Sequence, residues 1–166
     1  NYWNADAIKL DRLKFVLMED PNAAYSAYQT GEVLLIKDVP TEEIPSLEGN
    51  SEFNVEPIIG TYYLSVNTTK APFDNVNVRK ALSLAIDREY VANTLMQGTY
   101  SAASNFMGPG WIDTDGTEFM SNANGGKAYI DTTNHAANVE QAKQLLADAG
   151  YPNGEGFPAI SYTTND

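Results

Sequence analysis

The chain has 166 residues, enough for one ordinary domain, and an aromatic content of 11% that argues against disorder. Its 22 acidic and 10 basic residues give a formal charge of −12, which would repel a phosphate backbone and makes nucleic acid a poor partner. Without cysteine, the sequence can form no disulfide, thiolate zinc site or cysteine nucleophile.

The first elements predicted along the chain are a strand and a helix. Residues 12–18, RLKFVLM, have the composition of a strand, with alternate apolar side chains on one face. Asp20 is a suitable helix N-cap, Pro21 suits the first helical position, and Gly31 suits the exit. We therefore expect a helix that begins at Pro21 and ends before Gly31.

A second strand and a short helix follow. Residues 33–36 form an unbroken apolar run, as in a strand that is covered on both faces. The sequence PTEEIPSLEG predicts a short helix from Thr41. This helix should bend or end at Pro45, because proline lacks the backbone donor that a helix interior needs.

Residues 53–67 are predicted to be extended, and a long helix follows them. Asp74 or Asn75 can cap this helix, and Gly98 can end it. Apolar residues at helical spacing predict its buried stripe, formed by Val78, Leu82, Ala85, Ile86 and Leu95.

The rest of the chain predicts a long loop, a helix and a terminal strand. Residues 99–137 are rich in glycine and polar residues and exceed the usual length of a connection. A helix is expected from the N-cap Asn138 to Gly150, and a strand over residues 157–164. The alternation of strands and helices predicts an α/β or α+β fold with a mixed sheet.

Groups that could support catalysis are few. His135 is the single histidine, which excludes a two-histidine metal site or a histidine relay within the chain, and its polar neighbours predict a solvated loop residue. No nucleophile elbow, phosphate-binding glycine loop or dinucleotide fingerprint follows a predicted strand. We therefore expect no catalysis by these residues and no cofactor.

The segment WIDTDGTEF offers the carboxylates of Asp113, Asp115 and Glu118 to a calcium ion. An EF-hand loop needs its glycine at the sixth position after a leading aspartate. Counting back from Gly116 puts Trp111 at the leading position, and tryptophan cannot ligate calcium. A looser oxygen cage and an acidic surface turn remain as alternatives, and we expect the turn, without a metal.

The segment GTYYLSVN carries the candidate binding residues. On a strand, Thr61, Tyr63 and Ser65 share one face, and Tyr62 and Leu64 share the other. If one face is core, the other offers hydroxyls and an aromatic ring to a ligand without a group that would react with it. Half-buried packing of both tyrosines is the alternative.

Two further clusters have simple interpretations. Phe106, Met107 and Trp111 lie among glycines, and they are either anchors of the loop or part of a pocket rim. Residues 87–89, Asp-Arg-Glu, are most simply a solvated helix face.

Three stretches together resemble the oligopeptide-binding proteins of ABC importers, in the family 5 extracellular solute-binding proteins. They are GTYYLSVNTTKAPFDNVNVRKALSLAIDRE, then VEQAKQLLADAGYPNGEGFP, and NYWN with the later YQTGEV. Their order and spacing match across nearly the whole chain, and residues 101–137 match loosely. The resemblance implies two lobes that close on a ligand, in proteins about three times as long.

On this resemblance, we expect the chain to be an internal piece of a longer protein. Residues 1–57 would end one lobe's contribution, and residues 58–166 would begin the C-terminal lobe. The family's signal and lipid-attachment cysteine would lie upstream of these residues. We therefore expect membrane attachment only through such an N-terminal lipid anchor, which is not among the 166 residues.

The resemblance also implies which residues face the ligand. Tyr63 and Ser65 would face the cleft, with Thr163 nearby on the terminal strand, while Thr61 shares their face and Tyr62 is the weaker candidate. Family members often carry an acidic group where Ser65 stands, so the side-chain pocket would differ here.

The implied function is non-enzymatic capture of extracellular peptides and their delivery to a membrane permease. Peptides and permease subunits are thus the expected partners, and the expected location is the cell surface or periplasm. The alternatives are another solute, such as a nickel chelate, haem or a sugar, and a surface adhesion or signalling module that reuses the fold.

Overall fold

The computed structural model describes residues 2–164 and divides the chain into two compact units, Asn1–Phe53 and Asn54–Asp166. The two units are defined by which residues pack together within this chain, and not by the lobes of a larger protein. The assignment of residues 1–57 and 58–166 to two lobes stays a prediction.

The first unit is built around helix α1, Pro21–Gln29. The side chain of Asp20 caps it by accepting a hydrogen bond from the backbone N–H of Asn22 at 2.9 Å, and Pro21 occupies the first position. The predicted start is therefore confirmed. The unit also contains two 3₁₀ helices, Ala5–Ala7 and Thr41–Leu47. The second begins at Thr41 as expected, but it continues past Pro45 to Leu47, so an end at Pro45 is wrong.

In the second unit, helix α2 spans Val76–Ala85, and the side chain of Asn75 caps it through the N–H of Asn77 at 2.8 Å. The prediction that this helix continues to Gly98 is wrong. The helix ends at Ala85, and a separate π-helical segment follows at Tyr90–Leu95.

Residues 87–89 stabilise this break, so their interpretation as a solvated helix face is wrong. The guanidinium of Arg88 donates to the carbonyl of Ser83 at 2.7 Å and to its hydroxyl at 3.0 Å. The carboxylate of Asp87 accepts from the N–H of Tyr90 at 2.9 Å, which caps the next turn. Glu89 accepts a hydrogen bond from the hydroxyl of Thr132 at 2.9 Å, which ties the break to the segment before the last helix.

The short helix α3, Phe119–Asn122, and a 3₁₀ turn, Ala123–Gly126, lie within the long loop. The last long helix, α4, spans His135–Asp148. Its N-cap is Asn134, whose side chain accepts from the N–H of Ala137 at 3.2 Å.

The predicted cap, Asn138, is wrong because it lies inside α4. Its side chain is buried there and donates to the carbonyl of Asp131 at 2.7 Å. His135 is the first residue of α4 and not a loop residue, and its Nδ1 is buried without a hydrogen-bond partner among the described residues. The expected exit is confirmed, since Gly150 adopts a φ of +94°, which favours glycine after a helix.

The core of the second unit lies between α2 and α4. Ala81, Leu84 and Ala142 are buried together, and the two alanines have side chains small enough for close helix approach. The partly buried apolar residues packed around them are Ile130, Leu145 and Leu146.

The buried stripe of α2 differs from the predicted one. Val78 is fully buried as expected, but Ala81 and Leu84 complete the stripe. Ile86 and Leu95 are exposed by 40% and 52%, because α2 has ended before both of them. Ala85 is likewise exposed and Leu82 only partly buried.

The mixed sheet predicted from the sequence is not present among residues 2–164. The single β-pairing there is an isolated antiparallel bridge between Ile112 and Glu118. The segments predicted as strands, at 12–18, 33–36, 53–67 and 157–164, do not pair with one another. A strand needs a second chain segment to accept its hydrogen bonds, so strand composition alone cannot form a sheet.

These segments leave much apolar surface exposed. Phe15 is 81% exposed, Leu34 91% and Ile58 88%. The accessible area of the chain is 13242 Å², whereas a folded monomer of its mass exposes about 8,100 Å². None of the helices within the described part of the chain has the length and apolar character needed to cross a bilayer.

Candidate functional site

The tyrosine-bearing segment, residues 60–67, contacts Phe106 of the long loop in two ways. The hydroxyl of Thr61 donates to the backbone carbonyl of Phe106 at 2.7 Å. The ring of Tyr63 meets the ring of Phe106 edge to face, with centroids 5.0 Å apart and planes at 67°. Such aromatic pairs contribute about 0.5–1.5 kcal/mol beyond the area that they bury.

Glycines let the loop approach this segment closely. A Cβ on Gly108 would lie 4.0 Å from the carbonyl oxygen of Gly60, and one on Gly110 would lie 3.3 Å from the side chain of Ile59. Gly110 also has a φ of +97°, which side chains rarely adopt. The loop therefore runs antiparallel beside residues 59–63, with Phe106 opposite Tyr63.

Both faces of the tyrosine-bearing segment are open within the described residues. Tyr63 is 59% exposed, and Ser65 is also exposed. Tyr62 and Leu64, on the other face, are 73% and 54% exposed. The expectation that one of the two faces is core therefore fails within the described chain, since no described element covers either.

Thr163 lies in the extended run near the end of the described chain and is exposed. No hydrogen bond or ring contact between described residues joins it to Thr61, Tyr63 or Ser65. Its place beside them remains a prediction.

The acidic turn at residues 113–122 uses its polar side chains to hold itself together. Asp115 accepts from the N–H and hydroxyl of Thr117 at 2.9 and 2.6 Å. The amide of Asn122 donates to Thr117 at 2.9 Å and reaches both aspartates at 3.4 Å.

These hydrogen bonds favour the charged carboxylates. Bonds from Thr114 and Asn122 lower the pKa of Asp113, and bonds from Thr117 and Asn122 lower the pKa of Asp115. Within residues 2–164, no three histidine or acidic side chains converge closely enough to hold a metal ion. Asp113 and Asp115 accept hydrogen bonds within this exposed turn.

Open cavities occur among the described residues of both units. The cavity in the first unit measures 520 Å³ and is lined by Met18, Ala23, Ser26, Ala27, Thr30 and Glu32. The cavity in the second unit measures 370 Å³ and is lined by Ala71, Pro72, Asp74, Asn75, Ala149 and Tyr151. Neither cavity includes a predicted ligand-binding residue, so the candidate site is an exposed surface within the second unit.

The sequence named Thr61 and Tyr63 as candidate binding residues, but it did not predict that both contact Phe106. It left Phe106 open as a loop anchor or rim residue, and the structure shows an anchor through its carbonyl in a residue that is 65% exposed. No local pattern could have paired positions 61 and 106, which are 45 residues apart.

The comparison with known protein families shows which family the chain belongs to. The family described as "Bacterial extracellular solute-binding proteins, family 5 Middle" matches residues 1–166. The chain belongs to this family. The resemblance inferred from the three sequence stretches is thereby confirmed.

Named relatives extend along the same length of sequence. The chain is 30% identical to the oligopeptide-binding protein OppA of Bacillus subtilis (strain 168), over 99% of this chain and 30% of that protein. It is 32% identical to the dipeptide-binding protein DppE of the same organism, over 98% of this chain and 28% of that protein. The chain thus spans under a third of the length of these relatives.

A solved structure supports the same relationship. A periplasmic oligopeptide-binding protein of Borrelia burgdorferi, OppAIV, superimposes with a TM-score of 0.70 at 32% identity, over 95% of this chain and 29% of that one. The chain therefore shares the fold of the matching part of a periplasmic oligopeptide-binding protein.

Proposed function

We propose that the protein is the peptide-binding subunit of an ABC importer, which captures extracellular peptides and delivers them to a membrane permease. The observation that carries this proposal is the match along nearly the whole chain to relatives named for oligopeptides and dipeptides. The likeness in fold to a periplasmic oligopeptide-binding protein supports it.

The chemistry of the candidate site suits binding without reaction. Tyr63 and Ser65 present an exposed ring and hydroxyls, and we propose that they face the peptide together with Thr61 and Thr163. Tyr62, on the other face of the predicted strand, is the weaker candidate. A peptide importer must accept many sequences, so its affinity should come from main-chain groups, as when a strand is added to a sheet. Side chains of the peptide would then lie in wet pockets where water adapts to each sequence.

The exposed strand-like segments support a two-lobed protein with a mixed sheet. We propose that residues 1–57 complete one lobe and residues 58–166 begin the other, and that further segments of the full-length protein pair with the extended runs. The peptide would shift a hinge equilibrium through contacts with both lobes. One lobe alone would lose this double contact and most of the affinity.

The proposed protein is a carrier and not an enzyme, and it works outside the cytoplasm at the cell surface or in the periplasm. The family's description as extracellular solute-binding proteins supports this location. We propose permease subunits as its membrane partners and no cofactor for its action.

A second candidate is a different solute within the same family. The chain is 31% identical to the heme-binding protein A of Haemophilus influenzae, over 93% of this chain and 26% of that protein. Glutathione, named for another relative at 31% identity, is itself a modified tripeptide and fits the peptide proposal.

The test is to identify the bound ligand and then measure its affinity. The full-length protein is purified without denaturation, its ligand is released in acid, and mass spectrometry separates peptides from haem. After denaturation and refolding, calorimetry with di- to pentapeptides and with haem should give micromolar or tighter binding for peptides. Binding of haem but of no peptide would overturn the proposal in favour of the second candidate.

The 166-residue chain provides a test of the shared site. We expect it to show no measurable peptide affinity by calorimetry, whereas the full-length protein binds. Micromolar binding by the chain alone would contradict the division of the site between two lobes.

A further inference from the structure

We propose that Phe106 and Tyr63 form one subsite that accepts an apolar side chain of the peptide, an aromatic one above all. This inference rests on the proposed function, because it names the class of side chain that the same site prefers. It adds a residue of the long loop to a site that the sequence assigned to strands alone.

The geometry of the two rings carries the inference. Their planes meet at 67° with centroids 5.0 Å apart, so the pair forms a corner. Phe106 is 65% exposed and Tyr63 is 59% exposed as whole residues, so each keeps accessible surface for a third group. A third ring in this corner could contact one ring by its face and the other by its edge, which are favoured aromatic arrangements.

The corner is held in place by its backbone and not by the rings alone. The 2.7 Å hydrogen bond from Thr61 holds the carbonyl of Phe106, and further along the loop Gly110 lies so near the side chain of Ile59 that an added Cβ would come within 3.3 Å of it. Phe106 therefore needs no contact with the α2–α4 core to stay opposite Tyr63. An exposed aromatic residue that is anchored through its main chain leaves its side chain available to a ligand.

The electrostatics of the corner select against a charged guest. Among the described residues, no charged side chain forms a hydrogen bond or ion pair with Thr61, Tyr63 or Phe106. A charged guest side chain would lose water without gaining a partner there, while a phenyl or isobutyl group would gain contact area.

The test uses the full-length protein, stripped of ligand, and a tetra-alanine peptide in which one position at a time is replaced by Phe, Leu, Lys or Glu. In the unaltered protein, Phe at one position should bind about tenfold more tightly than Ala, and Lys or Glu at that position should not. Phe106→Ala should abolish this preference, so that the Phe and Ala peptides then bind with affinities within about twofold of each other. Phe106→Leu should keep a reduced preference, because it keeps an apolar wall.

Two further variants separate a ligand-facing role from a structural one. Thr61→Val removes the hydrogen bond to Phe106 and should weaken the aromatic preference, whereas Thr61→Ser should keep it. Tyr100→Ala is the matched control, since Tyr100 is a 52% exposed aromatic residue that forms no hydrogen bond or ring contact among the described residues.

The outcomes are distinct. An equal loss for all peptides in Phe106→Ala would mean that Phe106 only supports the fold, and an unchanged preference would mean that the corner takes no ligand group. Either result overturns the subsite and leaves the proposed function standing. If the unaltered protein binds no peptide of the set or of natural origin, the proposed function fails and the subsite fails with it.

Discussion

The helix pair α2–α4 and the extended segments of the chain differ in where their packing partners lie. Each helix satisfies its backbone hydrogen bonds internally, and the pair buries Ala81, Leu84 and Ala142. Residues 53–67 and 12–18 form no β-sheet pairing within residues 2–164, and Ile58 and Phe15 are more than 80% exposed.

This difference shows which parts of the fold depend on distant sequence. A helix needs a partner for only one face, and α2 finds that partner within this chain. A strand needs neighbours at its edges as well as cover for its faces. The chain spans 30% of the length of the oligopeptide-binding relative from Bacillus subtilis, and we propose that further segments of a longer protein supply both.

The largest expected effect comes from the helix pair. Leu84→Ala should destabilise the 166-residue chain by about 3 kcal/mol, because it removes buried methyl groups and leaves a cavity at the contact of α2 with α4. Urea unfolding followed by circular dichroism measures the loss. Leu64→Ala, the same change at a side chain that is 54% exposed, should cost less than about 0.5 kcal/mol. Equal losses would contradict the contrast between the two regions.

The second prediction concerns the same two substitutions, Leu64→Ala and Leu84→Ala, in the full-length protein. There Leu64→Ala should cost about 2 kcal/mol, because we expect other segments to cover that face of the strand. Leu84→Ala should cost nearly the same as in the shorter chain. If Leu64→Ala is neutral in both contexts, both faces of the tyrosine-bearing segment are open in the whole protein, and the sheet proposal fails.

The helix starts that were predicted correctly depend on neighbouring residues only. Asp20 and Asn75 each accept a hydrogen bond from an N–H two residues further on, so a short window of sequence contains both partners. The start of α4 was misplaced because Asn134 and Asn138 are both suitable caps. The choice between them follows from a contact outside the helix, the bond from Asn138 to the carbonyl of Asp131.

The candidate site shows the same limit. The alternation Thr61, Tyr63, Ser65 was visible in the sequence because side chains on a strand alternate. The pairing of Tyr63 with Phe106 was not visible, because it depends on a glycine-rich loop that returns to the segment after about 40 residues. Composition predicted strands at residues 12–18, 33–36, 53–67 and 157–164, but it could not say whether their pairing partners lie within the chain, and the described residues form no such strands.

The third prediction concerns the break after α2. Arg88→Ala should destabilise the 166-residue chain by about 1 kcal/mol. The guanidinium donates a hydrogen bond to the carbonyl of Ser83, and its positive charge interacts favourably with the negative C-terminal end of the α2 helix dipole. Arg88→Lys should recover part of the loss. Lys80→Ala removes the same charge from an exposed position of α2 and should be nearly neutral. Equal losses for Arg88→Ala and Lys80→Ala would mean that net charge, and not the hydrogen bonds, explains the effect.

The smallest effect is local and depends on pH. The folded turn lowers the pKa of Asp113 and Asp115 below the ordinary value of 3.8. The charged carboxylates therefore stabilise the turn fully above pH 3.8. This stabilisation is lost as the pH falls through the lowered pKa values of the folded state. The backbone amide signal of Thr117 should therefore move in an NMR titration below pH 3.8, and α2–α4 signals should move less. Asp115→Asn should remove most of the shift, and Asp38→Asn, outside the turn, should leave it unchanged. If the pH-dependent shift of the Thr117 amide signal persists in Asp115→Asn, another carboxylate holds the turn. The acidic turn would then not be the self-contained unit that its hydrogen bonds indicate.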